Sequence, residues 1–246
     1  NGKSGSLGAL AAGFIAGYVV LLLKKIFSKL PSALEGMVPI LLIPVFGLLI
    51  TGAGMVYVIE PVVGFINTAL NNGLKNMSGA NIILLGALLG AMMAVDMGGP
   101  VNKAAYVFGT AQIAAGNYDI MAAVMIGGMV PPIAIALSNT FFKNRWTDEE
   151  RKNAPVNYVM GLSFITEGAI PYAASDPLHV IPACVIGSGI AGAMSMAFKC
   201  TLMAPHGGIF VFPVVDHAAL YCVALAVGSV VGAVILSLLK KDRTDA

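Results

Sequence analysis

Charged side chains are scarce in this sequence. Asp, Glu, Lys and Arg make up 11% of its 246 residues and hydrophobic residues 58%, whereas an ordinary soluble domain is about 25% charged. Such a composition cannot cover a hydrophobic core with a water-solvated surface. The shortage of charge therefore excludes a soluble globular domain and favours an integral membrane protein.

Two further absences narrow the function. The formal net charge is only +2 and no basic stripe with interleaved aromatic residues occurs, so nucleic-acid binding is excluded. The three cysteines, Cys184, Cys200 and Cys222, show neither CxxC spacing nor a nearby histidine cluster. We expect them to be buried small hydrophobic residues, with no metal site and no cofactor.

The few charged residues divide the chain into long uncharged blocks. A bilayer-spanning helix needs roughly 20 predominantly apolar residues. Six blocks without Asp, Glu, Lys or Arg reach that length: 4–23, 36–59, 76–95, 120–142, 177–198 and 217–239. The sequence thus predicts an all-α, polytopic integral membrane protein with about six full spans.

Basic residues set the expected orientation, because Lys and Arg near span ends face the cytoplasm. Three clusters carry most of them: Lys24, Lys25 and Lys29; Lys143, Arg145, Arg151 and Lys152; and Lys240, Lys241 and Arg243. Placing all three inside requires a crossing between blocks 76–95 and 120–142. The uncharged segment 104–118 reaches only about 22 Å against a hydrocarbon core of roughly 30 Å. It is predicted to be a short or broken crossing segment, and the C-terminus is expected in the cytoplasm.

Blocks 120–142 and 217–239 must both end on the cytoplasmic side, at the basic clusters that follow them. Segments 153–176 and 200–216 must therefore either both cross the membrane or both re-enter it. We favour two re-entrant hairpins, since each is interrupted by Gly, Pro or charge. Irregular backbone at membrane depth persists only where protein or a water-filled cavity covers it, and it often marks a transporter binding site.

The predicted division of the chain follows from these segments. Residues 1–142 form an N-terminal membrane part with spans one to four, including the short segment within 96–118. Residues 143–153 form a solvated cytoplasmic loop that opens a short helix at Thr147, and partner docking is the alternative. Residues 154–239 form a substrate-binding membrane part, and 240–246 a cytoplasmic tail.

Three polar positions interrupt the apolar pattern. Glu167, within a Gly- and Pro-containing segment, is costly near a membrane and is expected to face a cavity and bind a ligand. The alternative is a wet, structural glutamate at a hairpin tip. His206 stands beside two glycines in the other hairpin, and its alternative is a satisfied structural histidine. We expect His179 and His217, each near a helix start, to be structural.

The third position surrounds a Gly-Gly-Pro break. Asp96, Asn102 and Lys103 flank it and could form the polar wall of a cavity. A polar turn with an internal Asp96–Lys103 ion pair is an equally good interpretation.

Together the three stretches resemble enzyme IIC, the membrane permease subunit of the bacterial sugar phosphotransferase system, and most closely its fructose family. The resemblance rests on AVDMGGPVNKAAYVFGT at 94–110, ITEGAIP at 165–171 with DP at 176–177, and APHGG at 204–208. It covers essentially the whole chain, which is expected to lack the first helices of that family.

The resemblance implies inward sugar transport with phosphorylation by a phosphocysteine on a cytoplasmic enzyme IIB, itself supplied by IIA and the general phosphocarriers. It assigns Glu167 to sugar contact and catalysis. It assigns His206 to sugar binding, with Thr166, Asp96 and Asn102 as further candidates. The chain would be the membrane subunit of a sugar phosphotransferase, inactive without IIB. A homodimer in the lipid of the bacterial cytoplasmic membrane is expected.

Alternatives remain at this point. An ion-coupled secondary transporter of a small polar solute could use Glu167 to carry a proton. An intramembrane hydrolase would need Asp96 and His206 within hydrogen-bond reach of each other. Among permeases of this kind, fructose, mannose and mannosyl-glycerate are all possible sugars.

Overall fold

The structure is a computed structural model in which two compact units are recognised. It describes residues 5–31, 34–62, 65, 72 and 80–240. The units are Asn1–Asn76 and Met77–Ala246, and each is described by itself. The predicted division at the cytoplasmic loop stays a prediction.

The first unit contains two apolar helices that pack against each other. They are α1 (Gly5–Phe27) and α2 (Ile43–Gly54), and the ring centroids of Phe27 and Phe46 lie 5.9 Å apart between them. One π-helical turn precedes α2 and another follows it, so that apolar helical structure extends over Val38–Val62.

The second unit is a bundle of helices with one very small sheet. Its helices are α3 (Ala80–Val95), α4 (Pro100–Ala115), α5 (Tyr118–Phe141), α6 (Asp148–Leu162), α7 (Ile170–Ser175), α8 (Pro177–Ala197) and α9 (Ala218–Leu239). Strands β1 (Thr201–Leu202) and β2 (Val215–Asp216) pair antiparallel, with Thr201 opposite Asp216. The predicted helical membrane fold is confirmed.

Helix α5 is the centre of this bundle. It is apolar on every side and almost entirely buried against α3, α4, α6, α8 and α9, as expected for a helix without a polar face. Two prolines inside it, Pro131 and Pro132, lack the N–H groups that would bond the carbonyls one turn earlier. Those carbonyls belong to Gly127 and Gly128.

Hydroxyl groups from two other elements satisfy these carbonyls. Ser188 of α8 donates to the Gly127 oxygen, and Thr166, in the turn before α7, donates to the Gly128 oxygen, each at 2.8 Å. A buried carbonyl without a partner would cost about 1–3 kcal/mol. The proline pair therefore fixes both α8 and the segment that carries Thr166.

Glycines permit close backbone approach between the helices. A Cβ atom on Gly127 of α5 would lie 2.5 Å from Cα of Gly90 in α3. A Cβ on Gly187 of α8 would lie 2.6 Å from the carbonyl oxygen of Gly228 in α9. Contacts of this kind hold membrane helices together by dispersion where lipid removes the hydrophobic drive.

Four helices of the described residues are long and apolar enough to cross a membrane: Val38–Val62, Tyr118–Phe141, Pro177–Ala197 and Ala218–Leu239. They match four of the predicted blocks. Residues 5–23 of the first block lie within α1, and α3 covers most of block 76–95 with only 16 residues. The predicted short segment is α4, whose 16 residues reach about 24 Å. The number of spans stays a prediction.

The charged loop 143–153 is exposed over most of its length but not at Trp146. Thr147 caps α6 through a capping box with Glu150, as the predicted helix start requires. However, α6 continues to Leu162, so the first predicted hairpin begins inside this helix. Trp146 is buried, its ring 5.7 Å from that of Tyr172. The expected solvation of the loop does not extend to this residue, because its indole packs into the apolar core; the cytoplasmic assignment of 143–153 stays a prediction.

Candidate functional site

The break between α3 and α4 is held by Asp96. Its carboxylate oxygens accept hydrogen bonds from the backbone N–H groups of Val101 (2.7 Å) and Asn102 (2.9 Å) at the start of α4. This carboxylate satisfies N–H groups that lack partners inside the helix, and its charge suits the positive end of the helix dipole. No Asp96–Lys103 ion pair forms in the structure, so that part of the polar-turn alternative is wrong, whereas the polar turn itself is present.

Asn102 ties the two helices together from the other side. Its amide Nδ2 donates to the carbonyl of Met93, in the last turn of α3, at 2.7 Å. The residue is buried, while the next one, Lys103, is exposed. One of the two N–H groups of this amide is therefore used within the fold, which leaves the other N–H and Oδ1 for a ligand.

The turn after α6 presents Glu167. Phe164 adopts a left-handed backbone conformation with φ of 62°, which reverses the chain before the short 3₁₀ turn Thr166–Ala169. Gly168 lies against α6 so closely that a Cβ atom there would be 2.7 Å from Oδ1 of Asn157. With Thr166 bonded to α5, the turn is fixed on both sides of Glu167.

His206 lies in the loop between β1 and β2, far along the chain from Asp96 and Asn102. The β1–β2 pair closes the base of its loop, and Gly207 and Gly208 follow it with φ of 130° and 56°. The imidazole lies 4.9 Å from the ring centroid of Phe164 and 6.5 Å from that of Tyr106. Among the described residues it has no hydrogen bond to Asp96, which removes the geometry a hydrolase would need.

These elements enclose a pocket of about 250 Å³. Its lining consists of Met93, Gly98, Asn102, Lys103, Tyr106, Phe164, Thr166, Glu167 and His206. Four of the five candidate residues meet there, and Asp96 lies outside. Gly98 makes room for the carboxylate, since a Cβ at that position would lie 3.0 Å from Oε1 of Glu167.

The pocket also contains residues outside the candidate binding set, among them Lys103, which the sequence analysis named only as a possible cavity wall. Lys103 and Tyr106 lie on the same face of α4 at helical spacing, so a helix assignment to 100–115 could have placed them beside each other. Phe164 stands three residues before Glu167. No sequence pattern identifies Met93, and only the packing of α3 places it at the pocket.

Glu167 borders a second, larger cavity of about 650 Å³. This cavity lies between α6 and α7, and Asn153, Met160 and Ser175 are among its lining residues. Glu167 and Gly168 contribute to its wall. The carboxylate therefore lies at the boundary of two spaces.

The other titratable candidates lie elsewhere. His179 Nδ1 is 2.6 Å from Oδ1 of Asp176, and His217 directly precedes α9, with φ of 59°. Cys184 and Cys200 are buried as expected, but Cys222 is exposed on α9, where the prediction of a buried side chain is wrong. Across the described residues, no three His, Cys, Asp or Glu side chains are grouped as metal ligands.

Comparison with known proteins agrees with the family resemblance seen in the sequence. The family model "Phosphotransferase system, EIIC" matches residues 1–187. The PTS system fructose-specific EIIABC component of Bacillus subtilis is 51% identical over 99% of this chain, which spans 38% of that relative. The Fructose permease IIC component of Bacillus amyloliquefaciens is 52% identical over 97% of this chain, which spans 78% of it. No solved structure matches.

Proposed function

Because the chain belongs to the EIIC family of the phosphotransferase system, we propose that it is the sugar permease subunit of a fructose system, moving sugar inward as it is phosphorylated. The observation that carries the proposal is the convergence of Asn102, Thr166, Glu167 and His206 on one pocket. Its volume of about 250 Å³ lies just below the usual ligand-pocket range of about 300–1,000 Å³, which suits a small polar molecule. Fructose is chosen over mannose because both relatives are named for it.

Glu167 is proposed to be the catalytic residue. A sugar hydroxyl is a weak nucleophile, and a carboxylate within hydrogen-bond reach helps by accepting its proton. Gly98 leaves space beside this carboxylate, and Thr166 fixes the turn that carries it. The transfer itself asks mainly for positioning and charge stabilisation.

The remaining residues are proposed to bind the sugar. His206 and Oδ1 of Asn102 offer hydrogen bonds to hydroxyls, and the oxygen of Thr166 can accept one while its proton stays with Gly128. The rings of Phe164 and Tyr106 provide an apolar wall for the carbon face of the sugar. Asp96 acts indirectly, through its hold on the start of α4.

The partner follows from the reaction. A phosphocysteine on enzyme IIB is proposed to deliver the phosphoryl group at the cytoplasmic face, itself recharged by IIA and the general phosphocarriers. The subunit alone would bind sugar without phosphorylating it. It would be a homodimer in the bacterial cytoplasmic membrane, with its C-terminus inside.

The test is radiolabelled fructose uptake, with identification of the product, in cells that carry the full subunit and its partners. Glu167→Gln should reduce phosphorylation by about 10²–10⁴-fold, the range of a general base. The exposed Glu35 is a matched control, and Glu35→Gln should leave the rate unchanged. An unchanged rate in Glu167→Gln would refute the role of this carboxylate.

The same assay separates the permease from an ion-coupled transporter. Uptake by a phosphotransferase permease requires phosphoenolpyruvate and the general phosphocarriers, and the intracellular product is a sugar phosphate. Uptake of free sugar that continues without them and stops with a protonophore would overturn the proposal.

A further inference from the structure

The pocket contains one charged group that the proposed sugar binding does not use, the ammonium group of Lys103. This residue lies in the first turn of α4 and lines the same pocket as Glu167 and His206. The nearest acidic residue in the sequence, Asp96, directs both carboxylate oxygens to backbone N–H groups. Within the described residues Lys103 takes part in no ion pair, so its charge is available to a ligand.

The proposed reaction creates a need for such a charge. The sugar hydroxyl oxygen forms a bond to phosphorus and the S–P bond of the phosphocysteine breaks. The electron pair of that bond leaves on the cysteine sulfur as thiolate, and the hydroxyl proton passes to Glu167. Negative charge is spread over three phosphoryl oxygens during this transfer, and catalysis depends on stabilising it.

Glu167 makes the need greater. It is the acidic residue among those that line the pocket, and a carboxylate repels an incoming phosphoryl group in a low-dielectric site. A cation in the same pocket offsets this repulsion. Lysine is a common phosphate-binding residue in proteins that transfer phosphoryl groups.

We propose that Lys103 is a catalytic residue that contacts the phosphoryl group during its transfer to the sugar, and has no part in binding the unphosphorylated sugar. The inference rests on the proposed function of this pocket. It gives the polar residues two tasks: Glu167, His206 and Asn102 hold the hydroxyl side, and Lys103 holds the phosphoryl side.

The experiment compares Lys103→Met and Lys103→Arg in the full subunit with its phosphorylated IIB partner. Fructose binding without a phosphoryl donor, measured on membranes, should stay within about twofold, because no charged hydrogen bond to sugar is lost. The kcat of phosphorylation should fall by about 10²–10³-fold in Lys103→Met, as for other lost transition-state donors. Lys103→Arg should recover part of the rate.

A second readout separates catalysis from a structural role. Inhibition by the sugar phosphate product should weaken by about tenfold or more in Lys103→Met, as for a lost charged hydrogen bond. Lys199, an exposed lysine after α8, is the control, and Lys199→Met should change neither quantity. Equal losses of fructose and sugar phosphate affinity, or an unchanged kcat, would overturn the proposal.

The wild-type subunit distinguishes the two levels of the argument. If it takes up fructose without phosphorylating it, the proposed function fails before any variant is made. If it phosphorylates fructose normally and Lys103→Met does so at the same rate, only the role of Lys103 fails.

Discussion

The two loops that meet at the pocket are held in different ways. We call residues 163–176 the Glu167 hairpin and residues 200–217 the His206 hairpin. The Glu167 hairpin is fixed by side chains, through Thr166 at one end and Asp176 at the other. The His206 hairpin has a two-residue strand pair at its base and a glycine pressed against another backbone.

The end of the Glu167 hairpin at Asp176 is bound by an ion pair whose lysine is buried. Lys240, only 3% exposed, places its ammonium 3.2 Å from Oδ2 of Asp176 and 4.0 Å above the Trp146 ring. Burial raises the pKa of Asp176, but contacts with His179 and Lys240 outweigh this and hold the pKa below its usual range. The ion pair therefore ties the junction of α7 and α8 to Lys240.

Because the two hairpins are held differently, they should be sensitive to different kinds of substitution. Side-chain anchors can be removed one at a time, and each loss should be partial. The backbone contact of Gly208 leaves no space for a Cβ atom, so a single substitution there should displace the whole His206 hairpin.

The largest effect is expected for Gly208→Ala. Its φ is 56°, and an added Cβ would overlap the carbonyl oxygen of Leu162 and lie 2.8 Å from the N atom of Phe164. We expect a loss of about 3 kcal/mol in the free energy of unfolding, measured in detergent, with loss of fructose uptake. Gly116→Ala is the control, because Gly116 has φ of 85° and open space around its Cβ. Similar losses in both would show that strain, not contact, decides.

Asp176→Asn should follow. It leaves the buried Lys240 beside Trp146 without a carboxylate. Because Asp176 is itself only half-buried, the loss should be about 2–3 kcal/mol, less than for a fully buried pair. The loosened hairpin should also raise the KM for fructose. Asp148→Asn is the control, since Asp148 pairs with Arg151 at the surface, where the loss should stay below about 1 kcal/mol. A variant as stable as the wild type would disprove the anchoring role of Asp176.

The next prediction compares two variants that should lose similar stability but differ in sugar binding. Thr166→Val and Ser188→Ala each remove the hydroxyl that satisfies a carbonyl left free by Pro131 or Pro132. Both should lose about 2 kcal/mol of unfolding free energy. Only Thr166→Val should raise the KM for fructose, because Ser188 lies outside the pocket. An equal change in KM would mean that Thr166 acts through general stability alone.

The sequence allowed most of the helical fold and four pocket residues to be predicted. Glu167 and His206 stand out because polar groups at breaks in apolar segments are costly unless they serve a site. Asn102 follows from the same reasoning. Asp96 carries the same signal, yet its carboxylate caps a helix in the structure, and spacing alone does not distinguish these uses.

Other features depend on contacts between distant parts of the chain. Pro131 and Pro132 show in the sequence that two carbonyls need donors, but not that Ser188 and Thr166, 61 and 38 residues away from the acceptors, supply them. The burial of Lys240 against Trp146 is likewise hidden, because charged residues near span ends are expected in water. Long-range pairing of this kind is a property of the folded bundle.

The smallest effect is expected for Thr201→Val. The hydroxyl of Thr201 donates to Oδ2 of Asp216 at 2.7 Å across the strand pair, in an exposed position. Valine keeps the β-branched shape, so the loss should be below about 1 kcal/mol, with fructose uptake nearly unchanged. If Thr201→Val instead abolished uptake as Gly208→Ala is expected to, the strand pair would be what holds His206. The contrast between the two hairpins would then be wrong, because both would depend on polar side chains.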